Sequence, residues 1–199
     1  MQNTWYGDHR DVVKWGTLVH LAQLEEIWTI VQVAFLRSAK PPPIDTDGVE
    51  VEIPKEVWKH FRDVDRIHDL ECPLGLEIVL VDHVIDQDLF PQRRKQYIQQ
   101  VADCLRNHAD SKVVLLDPDT GIEPERATSK HVKITEIQEI WEALSSGDWL
   151  VIYQHAFRDK KWREKSRIKF AQACGTQDVK TFQAPKIASD VAYFAAKKE

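Results

Sequence analysis

The most specific chemical signal in the sequence is the run Asp117-Pro118-Asp119-Thr120-Gly121, which follows a short apolar segment. Proline fixes one backbone angle and removes an N–H group, and Gly121 allows the chain to turn sharply. The two carboxylates are therefore presented rigidly at the end of a predicted strand, as catalytic acids require. The alternative is a plain Asx turn, because Asp, Pro and Gly all favour turns.

A second polar group follows another apolar segment, at Gln154 and His155. An amide both donates and accepts hydrogen bonds, which suits the edge of a nucleobase. The imidazole can carry a proton or donate to a phosphate. We therefore predict base recognition by Gln154 and leaving-group stabilisation by His155.

The start of the chain carries a charged cluster that precedes an apolar helical pattern, formed by Asp8, His9, Arg10, Asp11 and Lys14. Asp8 is a suitable N-cap, and Arg10 and Lys14 are spaced to share one face of the helix. We predict catalytic roles for Asp8 and Asp11, and substrate binding by the three basic side chains.

Charge is distributed unevenly along the 199 residues, although the formal net charge is only −5. Residues 156–199 contain eleven Lys and Arg against five Asp and Glu, and most of this excess lies between Arg158 and Lys169. A basic helix of this kind suits a phosphate backbone, with Arg158, Lys160 and Lys161 as candidate contacts. The alternative is a helix whose charges only face water.

Alternating strand and helix patterns position these groups, and they predict one α/β domain over residues 1–199. Its core is a mainly parallel sheet of about five strands with helices on both faces, making three layers. Residues 190–196 are expected to add an antiparallel strand at one edge. The predicted strands fall at residues 28–37, 76–83, 112–117, 149–155 and 179–182.

Open parallel sheets bind ligands at the carboxyl ends of their strands. The polar residues above follow strand ends, which favours an active site over a purely structural sheet. No P-loop, dinucleotide fingerprint, nucleophile elbow or zinc-protease motif is present, and no glycine loop follows Leu36. We therefore expect no cofactor. No metal ligand is assigned, because no third acidic ligand accompanies Asp117 and Asp119; a divalent ion at these two aspartates stays open as an alternative.

Three separated cysteines support neither disulfides nor a zinc cage, and no stretch has the length and apolarity of a membrane span. The N-terminal segment also lacks a signal-peptide pattern. We therefore expect a cytoplasmic protein whose partner is nucleic acid, preferably DNA, with no membrane association and no obligate protein partner.

Two landmarks resemble the Rossmann-like RNA adenine-N6 methyltransferases: the helix-opening motif G-D-x-R-D-x-x-K at residues 7–14 and the strand-ending Asp117-Pro118. Those enzymes open with Gly-Asn-His-x-Asp-x-x-Lys and carry Asp-Pro-Pro-Tyr at the catalytic strand. The resemblance implies a Rossmann-like scaffold and, as a reaction, methyl transfer from S-adenosylmethionine to nucleic acid.

The combination of G-D-x-R-D-x-x-K, D-P-D-x-G and Y-Q-H, in a small α/β protein, also resembles phage-defence DNA glycosylases that excise modified cytosine. That resemblance implies base flipping and antiviral defence.

Our first hypothesis is hydrolysis of an N-glycosidic bond in modified DNA, because this reaction needs no cofactor. Asp117 or Asp119 would stabilise the oxocarbenium-like sugar while Gln154 and His155 hold the departing base. The alternatives are a methyltransferase of degenerate Rossmann type and a nucleic-acid-binding module without catalysis.

Overall fold

The structure, a computed structural model, describes residues 7–36, 43–46, 48–54, 56–57, 63–84 and 91–199. The helices are α1 (His9–Leu24), a 3-10 helix (Val64–Leu70), α2 (Glu71–Leu74), α3 (Pro91–Asn107), α4 (Ile134–Ala143) and α5 (Trp162–Cys174). The strands are β1 (Thr29–Leu36), β2 (Ile44–Thr46), β3 (Val49–Val51), β4 (Glu77–Val84), β5 (Lys112–Asp117), β6 (Gly121–Ile122), β7 (His131–Val132), β8 (Trp149–His155), β9 (Lys180–Ala184) and β10 (Ala188–Lys197).

The main sheet has six strands in the order β4-β1-β5-β8-β10-β9. The first four run parallel, whereas β10 is antiparallel to both of its neighbours. Every residue of β1 and β5 is buried, because these two strands are covered on both faces. The mainly parallel α/β sheet that the sequence predicted is therefore confirmed.

Helices cover both faces of this sheet. On one face, Leu18 and Leu21 of α1 pack against the apolar side chains of the central strands. On the other face, α3, α4 and α5 form a second core that includes Val101, Ile137 and Phe170. The sheet and its two helical layers therefore form the three predicted layers.

The antiparallel strand lies in a different place from the one expected. It is not at the edge: β10 lies between β8 and β9, and residues 191–196 are buried. Tyr193 packs in one core and Phe194 in the other, so both sides of β10 are covered. The alternation in DVAYFAA therefore does not mark a solvent-facing edge, and the exposed β9 takes that position.

The segment after β5, expected to be irregular, contains the short parallel ladder of β6 and β7. Arg94 of α3 holds this ladder, because its guanidinium contacts Glu136 Oε1 at 2.5 Å and donates to the carbonyl oxygen of His131 at 2.5 Å. The predicted helix at Pro54 falls largely outside the described residues. In the part of the chain that the structure describes, no helix combines the length and apolarity needed to cross a bilayer.

Candidate active site

Four parallel strands have their carboxyl ends on the same side of the molecule: β4, β1, β5 and β8. The chain places β4 on one side of β1 and then crosses over to place β5 on the other side of β1. At such a reversal, open α/β sheets bind ligands in a crevice at the carboxyl ends of the two strands, which here are β1 and β5. Asp82 lies beside this crevice, opposite Ala34 in the β4–β1 register, and its side chain is exposed.

Lys14 joins α1 to the end of β5. Its Nζ atom contacts Asp11 Oδ1 and lies 3.0 Å from Asp117 Oδ2, and all three residues are buried. Burial lowers the pKa of the Lys14 ammonium, but the charges of Asp117 and Asp11 outweigh that effect and hold the pKa well above its usual value. Lys14 therefore carries its charge inside the protein.

Gln32 of β1 is the second partner of Asp117, and the sequence analysis missed it. Its Nε2 atom donates to Asp117 Oδ2 at 2.7 Å, and the residue is completely buried. Within the described part of the chain, Gln32 Oε1 has no hydrogen-bond partner. A single amide in an otherwise apolar strand core was the available signal, because a buried amide needs a polar neighbour.

Asp8 caps α1, as the sequence predicted. Its side chain accepts from the backbone N–H groups of Arg10 at 2.7 Å and Asp11 at 3.2 Å. The carboxylate of Asp11 accepts from the N–H of Gly7 at 2.5 Å. These bonds fix the first turn of α1 and so position Lys14 one turn further along.

Asp190 links the N-terminal cluster to His155. Its Oδ2 atom accepts from Arg10 Nη2 at 2.5 Å and lies 3.2 Å from His155 Nε2, while His155 Nδ1 lies 2.9 Å from the carbonyl oxygen of Ala156. The hydrogen bond from Arg10 lowers the pKa of Asp190. The sequence analysis missed Asp190 because it lies at the start of β10, far along the chain from both partners.

Gln154 is buried and its amide is engaged by backbone. Oε1 accepts from the N–H of Ile122 at 3.0 Å, and Nε2 donates to the carbonyl oxygens of Thr120 at 3.2 Å and His155 at 2.8 Å. A Cβ atom at Gly121 would lie 2.4 Å from this amide, so only glycine allows the approach. Gln154 therefore joins β8 to β6.

The remaining candidates lie nearer the surface. His9 is exposed, and Asp119 is partly buried in the turn after β5. Arg158, Lys160 and Lys161 are exposed, and they precede α5, which begins at Trp162 rather than at the start of the basic segment. The structure thus brings together two sets of predicted residues. In the first, Lys14 contacts both Asp11 and Asp117. In the second, Arg10 contacts Asp8, and Asp190 links Arg10 to His155.

Among residues that the structure describes, no three His, Cys, Asp or Glu side chains are grouped to hold an ion. Asp117, at the end of the central strand β5, is already paired with Lys14.

Comparisons with known proteins give little further guidance. No protein-family model matches the chain, and no curated protein matches its sequence. A solved structure, a SAM-dependent methyltransferase from Agrobacterium tumefaciens, is similar at a TM-score of 0.43 with 12% sequence identity. The match covers 94% of this chain but 62% of that protein, so this chain spans less than two thirds of its length.

Proposed function

We propose that the protein is an enzyme that modifies a base of a nucleic acid on a Rossmann-like scaffold, and that methyl transfer is its reaction. One observation carries this proposal: Lys14 Nζ lies 3.0 Å from Asp117 Oδ2. Lys14 ends the G-D-x-R-D-x-x-K motif, and Asp117 begins the strand-ending Asp-Pro motif. The two landmarks that resemble the RNA adenine-N6 methyltransferases thus meet at the crevice beside β1.

The burial of Asp117 argues against its use in hydrolysis of a glycosidic bond. Only 2% of Asp117 is exposed, and its carboxylate is neutralised by Lys14 and bonded by Gln32. A carboxylate that stabilises an oxocarbenium-like sugar must face the substrate. The Asp117 carboxylate instead joins α1 and β1 to the end of β5 through Lys14 and Gln32. A hydrolase on this scaffold would have to use Asp119.

The crevice offers a suitable residue for S-adenosylmethionine, which would supply an electrophilic methyl group. The exposed carboxylate of Asp82, at the end of the strand next to β1, fits the ribose hydroxyls, because an acidic residue near this point binds ribose in related dinucleotide folds. No glycine loop follows Leu36 in the sequence, so the methyl donor would have to be held without that loop. Residues 37–42 lie outside the described residues. Lys14 and Gln32 hold Asp117, and through it Pro118, against movement.

The substrate side of the proposal rests on charge and on His155. Arg158, Lys160 and Lys161 are exposed beside the end of β8, where a phosphate backbone would find cationic partners. The His155 ring lies between Asp190 and the carbonyl oxygen of Ala156, and Asp190 orients it. We therefore place the nucleic acid along the side of the crevice formed by β8 and the start of α5.

The decisive experiment pairs calorimetric titration of S-adenosylmethionine with transfer of a labelled methyl group to DNA and RNA. Saturable binding, label in the nucleic acid, and binding weakened about tenfold by Asp82→Asn support the proposal. Asp103→Asn, at an exposed acid of α3, is the matched control and should bind like the parent.

Two results would overturn the proposal. One is the absence of saturable binding at millimolar donor. The other is alkali-labile sites and released base in DNA incubated without the donor, which would establish glycosidic hydrolysis instead.

A further inference from the structure

A cavity of about 480 Å³ lies between the end of β8, the β6–β7 ladder and α5. Gln154 and His155 of β8 line it, and Lys165, Ser166 and Lys169 of α5 contribute one side. We call it the β8 cavity; its other lining residues are Thr120, Ile122, Pro124, Glu125, His131, Ala156 and Phe157. This volume suits one small organic ligand.

One part of the lining is apolar. It comprises Ile122, Pro124, Ala156 and Phe157, and Phe157 remains 49% exposed although it is a large aromatic side chain. A partly exposed aromatic ring that lines a cavity is available for stacking with a planar ligand. Every nucleobase has such a face, and stacking on an aromatic side chain is a common way of holding an unpaired base.

The α5 side of the lining is cationic. Lys165 and Lys169 are four residues apart, so they lie on one face of the helix. Lys169 Nζ donates to the carbonyl oxygen of Glu123 at 2.8 Å, which uses one of the three donors of an ammonium group. Lys165 Nζ lies 2.5 Å from Asp159 Oδ2. Both lysines can therefore donate further hydrogen bonds to an anion.

His131 supplies a neutral donor for the same space. Its Nδ1 atom accepts from the backbone N–H of Thr128 at 3.2 Å, which leaves the ring proton on Nε2. Burial lowers the pKa of His131, with Arg94 and Lys130 acting in the same direction and the Thr128 hydrogen bond and Glu123 opposing them, so the neutral ring is favoured. A neutral imidazole with a defined tautomer suits hydrogen bonding to a base edge.

From this combination we propose that the β8 cavity binds one nucleotide unit, with the base on Phe157 and its phosphate on Lys165 and Lys169. This assignment rests on the proposed function, because the bound nucleotide would be the one that a nucleic-acid strand presents to the enzyme. The ligand chemistry is a purine or pyrimidine joined to a phosphate. Such a unit comes either from a free nucleotide or from a nucleotide turned out of a strand.

The test uses the imidazole signals of His131 and His155, identified by their loss in the His131→Gln and His155→Gln variants. Nucleoside monophosphates are titrated into the full chain and followed by NMR, and a parallel titration uses single-stranded oligonucleotides. We expect saturable shifts of both signals, with Phe157→Ala and Lys165→Met each weakening binding about tenfold. Lys186→Met, an exposed lysine outside the cavity, is the matched control and should bind like the parent.

Each outcome is decisive for the cavity. Saturation by the oligonucleotide at far lower concentration than by the monophosphate identifies a strand as the source, and comparable saturation identifies a free nucleotide. Unmoved histidine signals, or affinity unchanged by Phe157→Ala and Lys165→Met, would overturn the inference. Because none of these titrations contains S-adenosylmethionine, the cavity and the methyl-transfer proposal can fail separately.

Discussion

Lys14 of the first helix and Asp117 at the end of β5 form a buried ion pair, with 3.0 Å between Lys14 Nζ and Asp117 Oδ2. Lys14 also contacts the carboxylate of Asp11, and Gln32 adds a hydrogen bond to Asp117. Two charged motifs that are distant in the sequence therefore form one structural unit beneath the crevice of the sheet. The pair couples stability to the geometry of the candidate site.

The first prediction concerns this ion pair. Lys14→Met should reduce the free energy of unfolding by about 3–5 kcal/mol, because it leaves Asp117 and Asp11 buried without their cation. Urea unfolding at pH 7 measures the loss. Arg106→Met, which breaks the exposed Arg106–Asp103 pair, should stay within about 0.5 kcal/mol of the parent. A Lys14→Met protein as stable as the parent would contradict the described pairing.

The second prediction compares two glycines. Gly121→Ala should cost about 2 kcal/mol or more, because the new Cβ would overlap the Gln154 amide and the residue has φ +121°. Gly16→Ala, in the exposed middle of α1 with no atom near the new methyl group, should instead stabilise by about 0.5–1 kcal/mol. Thermal and urea unfolding of the two variants test the contrast, and losses of equal size would contradict it.

The third prediction is a pH dependence at Asp190. Arg10 lowers the pKa of this carboxylate in the folded protein, so its contribution is present above the pKa of the unfolded chain and is lost as the pH falls through the folded value. Asp190→Asn should therefore reduce the free energy of unfolding by up to about 1 kcal/mol at pH 7, a small loss because the ion pair is partly exposed. The loss should shrink progressively below about pH 4. Unfolding measured from pH 7 to pH 3 tests this, and a pH-independent difference would exclude the ionic contribution.

The fourth prediction concerns thiol reactivity. Burial raises the pKa of Cys174 to about 12, whereas Cys72 is exposed and Cys104 is partly exposed. Cys72 should react first with a disulfide reagent, and Cys174 should react at a measurable rate only after unfolding, since the thiolate is the reactive form. Mass spectrometry of the labelled peptides assigns the order. Rapid labelling of Cys174 in the folded protein would show that α5 opens.

The fifth prediction tests the exposed basic residues before α5. Replacing Lys160 and Lys161 with Gln should weaken binding to all sequences alike, and each lost phosphate contact should flatten the dependence of log affinity on log salt by about one unit. Lys95→Gln, an exposed lysine on α3, is the control. An unchanged salt slope would favour the simpler hypothesis of a solvated surface.

Local patterns in the sequence determined much of the fold. The apolar runs predicted β1, β4, β5 and β8, and the Asp8 cap predicted the start of α1. These features depend on neighbouring residues, whose spacing encodes burial and capping directly. The Asp-Pro-Asp-Thr-Gly segment was likewise predictable as a rigid turn at a strand end.

Only the tertiary structure decided which polar groups meet. It paired Lys14 with Asp117, added Gln32 and Asp190, engaged the Gln154 amide with backbone, and placed β10 inside the sheet rather than at its edge. Strand order and long-range ion pairs depend on how distant segments pack, and alternation within one strand cannot report its neighbours. The sequence therefore identified the chemical groups, and the packing of α1, β5, β8 and β10 selected their partners.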